Sequence, residues 1–140
     1  MIAKTFSATV LGIDAYLIEV EVDVSFGMSV FNIVGLPDGT IKESRDRILS
    51  AVNNSGYSFP VRRVVVNLAP APLRKIGSGF DLPIALALLG TIGLFLPENL
   101  NRAMVVGELS LDGEIRPVRG ILPVAVATRD HKLEQLILPK

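Results

Sequence analysis

The sequence predicts an α/β chain of the α+β kind, a two-layer domain with helices packed on a mixed sheet. Residues 18–24, Ile-Glu-Val-Glu-Val-Asp-Val, alternate with a period of two, which gives a strand one dry and one wet face. The run Val64-Val65-Val66 reads as a strand buried on both faces. An apolar stripe of Ile41, Ile48, Leu49 and Val52, and an apolar run over 82–96, read as helices. Strands interleaved with helices make a layered fold.

Each element follows from local signals. Residues 6–11 supply a partner strand for 18–24 through Gly12-Ile13-Asp14, and Phe26-Gly27-Met28 turns the chain into a third strand over 29–34. Such short links suggest an antiparallel meander. Pro37-Asp38-Gly39 breaks that strand, and Thr40 with Glu43 forms a capping-box signature for a helix over 40–55, with Gly56 as its stop. A strand over 61–68 follows, then a loop over 69–79 holding Pro70, Pro72, Gly77 and Gly79. Asp81 is placed to cap the helix 82–96, whose first turn tolerates Pro83. A strand over 103–109, an Asp112-Gly113 hairpin turn, a helix over 121–129 and a strand from Leu136 complete the order.

Composition narrows the function classes. At 140 residues and 15.1 kDa, the chain has room for one domain. Hydrophobic residues at 49% supply a core and exclude a disordered chain. Fourteen Lys and Arg balance fourteen Asp and Glu, so any contact with nucleic acid must come from a local patch. With no cysteine there is no disulfide, thiolate metal site or cysteine nucleophile, and the single His131 builds no histidine cluster. The N-terminus lacks the pattern of a secretory signal, and the 82–96 run is shorter than the ~20 residues of a spanning helix. A soluble, cytoplasmic protein without membrane contact is expected.

No lysine follows a glycine, so the phosphate-binding loop of ATPases is absent from this chain. Gly77-Ser78-Gly79 resembles the start of a dinucleotide fingerprint, but Leu82 stands where its third glycine belongs, which favours a flexible turn. Glu19, Glu21 and Asp23 share one strand face at spacings of roughly 6.6 Å; they flank a cation or form a solvated face. Glu108, Asp112 and Glu114 read as hairpin surface. Arg62, Arg63, Arg74 and Lys75 form one basic cluster, and Arg116 with Arg119 another. They are the candidates for a DNA or partner surface, with solubilisation as the plainer account.

Two longer stretches are more specific. One runs Val66-Asn67-Leu68-Ala69-Pro70-Ala71-Pro72 and continues at Gly77-Ser78-Gly79-Phe80-Asp81-Leu82-Pro83-Ile84-Ala85. The other runs from Val106-Gly107-Glu108-Leu109 through Asp112-Gly113-Glu114-Ile115-Arg116-Pro117-Val118-Arg119-Gly120 to Pro123. With Gly35-Leu36-Pro37-Asp38, they closely resemble the N-terminal domain of the ComM/YifB family of magnesium-chelatase-like AAA+ proteins, over the whole chain.

That resemblance implies a fold similar to the proteolytic domain of Lon and a role in DNA branch migration during natural transformation. It implies that residues 1–140 are a single domain, truncated at its C-terminal end, preceding an AAA+ ATPase module absent from this chain. No cofactor is expected here; ATP and magnesium belong to the missing module. Partners would be that module, sister subunits of a hexamer and DNA.

Set against Lon's motifs, Gly79 falls at the nucleophile position and Leu122 at the position of the partner lysine, with Ser78 one residue away. The dyad is degenerate, and the expected role is a non-catalytic one in assembly or DNA engagement. Lys75, the lysine nearest Ser78 in sequence, is expected to stay solvated and protonated, near its ordinary pKa of ~10.4. Gly79 is expected to permit close packing against the start of helix 82–96. A serine peptidase with a variant site, or a relative of the magnesium chelatase ATPase subunit, are the alternatives.

Overall fold

The computed structural model describes residues 1–59 and 62–140. In chain order its elements are β1 (Ile2–Leu11), β2 (Asp14–Ser25), β3 (Val30–Val34), α1 (Gly39–Lys42), α2 (Ser44–Asn54), β4 (Arg63–Ala69), α3 (Asp81–Thr91), β5 (Ala103–Val105), β6 (Glu108–Leu109), β7 (Ile115–Arg116), α4 (Ile121–Asp130) and β8 (Gln135–Ile137). A 3-10 turn at Pro97–Leu100 precedes β5. Six strands form one mixed sheet in the order β3-β4-β2-β1-β5-β8, while β6 and β7 make a separate hairpin.

The alternation at 18–24 sits inside the longer β2, paired antiparallel with β1. The expected meander does not continue into β3. β4 inserts between β2 and β3, antiparallel to the former and parallel to the latter. A parallel neighbour requires a long crossover, and the two helices between β3 and β4 provide it. Val64, Val66 and Leu68 of β4 face the core at 0–2% exposure, but Val65 is only half-buried. The valine run is therefore dry on one face, because its other face meets Asp23 and Asn32 of the flanking strands. Val61 lies outside the described residues.

Three helix expectations are also corrected. The span 40–55 is two helices joined at Glu43, and Asp38 caps the first by accepting from Ile41 N at 2.9 Å, so Thr40 is not the cap. Helix 82–96 ends at Thr91, where Gly90 and Gly93 interrupt it, the latter at φ 81°. Asp81 makes no cap bond; its carboxylate is drawn elsewhere. The strand over 103–109 is divided between β5 and β6, while the Asp112-Gly113 turn does close the β6–β7 hairpin.

One face of the sheet packs against the helices before β5. Ile18, Val20, Val22 and Val24 of β2 join Ile41, Ile48, Val52, Ile84 and Leu88 in the main core. α4 lies on the opposite face at the hairpin end, where Val124 and Ala127 meet Ala8 and Met104. The rest of that face carries Glu19, Glu21 and Asp23. Lys4 Nζ lies 3.2 Å from Glu19 and 3.7 Å from Glu21, and Asn67 donates to Glu21 at 2.9 Å, so the face is an ion-paired surface. Among the described residues, no helix is long and apolar enough to cross a membrane.

Candidate functional site

The loop between β4 and α3 is fastened by its backbone. Lys75 N donates to Leu36 O and Asp38 N donates to Lys75 O, each at 3.0 Å. Gly77 N reaches Asp38 Oδ2 at 3.0 Å, and Ile76 N reaches Thr9 Oγ1 at 3.1 Å. The loop is thus stitched to the β3–α1 connection and to β1. Gly35 is required for this stitch: its φ is 104°, and a Cβ there would lie 2.1 Å from Leu68 O.

Past the stitch, residues 76–80 form one wall of a cleft of about 560 Å³. Ala8 and Val10 of β1 form its floor, and residues 117–120 with Pro123 and Val124 form the facing wall. Gly107 N donates to Gly79 O and Leu82 N donates to Gly107 O, both at 3.0 Å, which holds the 76–80 wall against the β5–β6 connection. Gly120, with φ 81°, lets the other wall approach β1; a Cβ there would come within 2.8 Å of Val10 Cγ2.

The structure brings only part of the expected dyad positions together. Ser78 and Gly79 line the cleft, but Leu122 does not. Leu122 is 75% exposed and borders a neighbouring groove with Ile13, Pro123 and Val126. Among the described lining residues, Arg119 is the one charged group; no lysine, histidine or carboxylate is there. Gly79 has no steric need to be glycine, since a Cβ would meet Val118 at an ordinary 3.5 Å. Close packing is not the reason for that glycine.

Lys75 is the largest correction. Its side chain is fully buried, and Nζ donates back to Pro70 O. Burial pushes its pKa below the usual lysine range, with no neighbouring charge opposing the shift. It therefore leaves the basic surface. The other candidates divide. Arg62 and Arg63 precede and open β4, with Arg62 4.7 Å from the centre of the exposed Phe26 ring. Arg74 lies beyond the other end of that strand, roughly 20 Å away for seven residues. Arg116 is exposed on β7 opposite Glu108, and its charge helps lower the pKa of Asp112, after the larger effects of the Ser110 and Glu114 hydrogen bonds. Arg119 remains as the cation that lines the cleft, and Arg74 is exposed two residues before its 76–80 wall.

Two features had no place among the sequence candidates. Asp81 is fully buried and accepts from Ser44 Oγ at 2.7 Å, Arg47 Nε at 2.7 Å, Arg47 NH2 at 3.0 Å and Leu109 N at 3.1 Å. The hydrogen bond to Asp81, with its charge, raises the Arg47 pKa. Thr5, Ser7 and Thr9 form a buried hydroxyl stripe on β1, in which Thr5 donates to Pro83 O and Ser7 Oγ has no partner among the described residues. The period-two spacing of these three hydroxyls was the available signal.

A family model described as subunit ChlI of Mg-chelatase matches residues 20–140. Competence protein ComM of Haemophilus influenzae is 40% identical over 136 residues, covering 97% of this chain and 27% of that relative. YifB of Escherichia coli is 46% identical over 115 residues, covering 82% and 23%. A Mycobacterium tuberculosis protein, Rv2897c, is 40% identical over 138 residues, covering 99% and 27%. The chain spans about a quarter of the length of these curated relatives.

Proposed function

This chain belongs to the ComM/YifB family of magnesium-chelatase-like proteins, and within it we propose that the chain is a non-catalytic N-terminal domain that supports assembly and DNA engagement. The complete protein would be a cytoplasmic AAA+ ATPase acting in DNA branch migration during natural transformation. ATP and magnesium would be held by the AAA+ module, in a hexamer with sister subunits. That the Haemophilus relative is a competence protein supports the process.

The observation that carries a non-catalytic role is the cleft. A serine hydroxyl attacks a carbonyl only when a neighbouring base takes its proton. Ser78 has no base among the lining residues, Leu122 turns to solvent, and the amine of Lys75 is engaged by Pro70 O. Arg119 on the cleft and exposed Arg74, two residues before its 76–80 wall, are the candidates to meet phosphates, while Arg62 and Arg63 lie at the far end of β4.

The test is titration of branched DNA with the complete protein at several salt concentrations. Replacing Arg74 and Arg119 together by alanine is expected to weaken binding. It should also flatten the slope of log K against log salt by roughly 1.8, as for two duplex phosphates that are no longer neutralised. The Arg62→Ala, Arg63→Ala pair is expected to leave both unchanged. Equal effects from the two pairs, or none from the first, would reject this assignment.

A further inference from the structure

β3 is the outer strand of the six-stranded sheet, hydrogen-bonded on its inner side to β4. Its five residues, Val30-Phe31-Asn32-Ile33-Val34, include no charge and no proline. Among the described residues, no backbone hydrogen bond joins β3 to a group outside the sheet. Edges of this kind are ordinarily blunted by lysine, proline or a bulge. Here the flanks are apolar instead: Met28 is 81% exposed, Val34 48% and Leu36 54%.

We propose that β3 is a self-pairing edge, to which a second copy of this chain adds its own β3 antiparallel about a two-fold axis at Asn32. This is independent of the DNA reading above. In that register Asn32 faces Asn32 of the second copy, Phe31 faces Ile33, and Val30 faces Val34. Side-chain parity is kept on both faces. On the core side, Val66 and Ile33 of one copy continue into Phe31 and Val64 of the other, since Phe31 pairs with Val64 and Ile33 with Val66 within each sheet. On the open side, Val34 is covered by Val30, and exposed Met28 is carried towards Leu36 of the second copy.

No like charges meet along the five rungs. A slip of one residue would set core-facing Phe31 and Ile33 against solvent-facing positions. With no charges opposed, and with Phe31 on Ile33 and Val30 on Val34, this register makes a second copy the occupant. A groove of about 160 Å³ beside Phe31, bordered by Leu49 and Phe59, gives the core-side rung room to pack. Arg45 and Arg62 stand in that groove, and the two-fold sends the two copies' pairs to opposite ends of the join. Such a contact closes on two subunits, so it is separate from any contact that builds a ring.

Sedimentation velocity over a wide concentration range tests this with the chain itself, Asn32→Lys, Asn32→Asp and an equimolar mixture of the two variants. Asn32 is exposed, and near-ultraviolet circular dichroism checks that each variant is folded. The unaltered chain is expected to show concentration-dependent dimers. Each variant should dimerise at least roughly fivefold more weakly, and the mixture should recover the dimer through opposite charges. A monomer at every concentration, a dimer indifferent to Asn32→Lys, or a mixture that fails to recover would each overturn the proposal.

Discussion

Lys75 shows how far a single residue can depart from its sequence context. It stands between Arg74 and Ile76 in a loop rich in proline and glycine, where a lysine normally keeps its ammonium in water. Four hydrogen bonds, two with the backbone of Leu36 and Asp38 and two to the side chains of Asp38 and Thr9, press the loop onto β1 and the β3–α1 connection and leave the Lys75 side chain inside. Nothing in the composition of residues 69–79 encodes those distant partners, so the burial was not legible. The energetic consequence has a definite sign. With its pKa lowered in the fold, Lys75 binds fewer protons when folded than when unfolded, between the lowered value and the ordinary 10.5. Its contribution to stability therefore rises with pH through that window. Comparing the chain with Lys75→Met by urea denaturation from pH 7 to pH 10 should show the unaltered chain gaining relative to the variant. A stability difference that stays flat with pH would count against a buried, uncompensated amine.

At the level of elements, strands and helices were legible where periodicity is local. β2 and α2 show their faces in their own sequences. The placement of β4 between β2 and β3 was not legible, because pairing of residues thirty or more apart leaves no mark on local spacing. β1 misleads differently. Its hydroxyls at Thr5, Ser7 and Thr9 take the buried side, while Lys4 and Phe6 lie on the open one. The Asp81 carboxylate is the chief polar tie between elements, linking α2, α3 and β6 through four hydrogen bonds. A buried, multiply bonded ion pair adds little net stability but is costly to break from one side. Asp81→Ala should destabilise the fold by about 3–5 kcal/mol, leaving Arg47, with a side chain 20% exposed, short of its partner. Adding Arg47→Ala should recover part of the loss, as a double-mutant cycle in urea reads directly. Additive losses would mean that the pair is not coupled.

For the whole molecule, the sheet, the stitched loop and α4 enclose a cleft whose walls come from chain segments about forty residues apart. The family was legible because its two long stretches supply both walls. The distribution of charge around the cleft was not, since it depends on Lys75 turning inward, and neither was the outward turn of Leu122 that takes it off the cleft. What this architecture offers is a shaped, largely apolar cavity with one hydroxyl and one guanidinium among its lining residues, and no group able to accept the hydroxyl proton. That the domain is non-catalytic is the central proposal, and reaction of the chain with a serine-directed phosphonate probe is its most direct test. The expected result is no covalent adduct at Ser78, with the same mass spectrum for the chain and for Ser78→Ala. Stoichiometric labelling of Ser78, lost in Ser78→Ala, would contradict it.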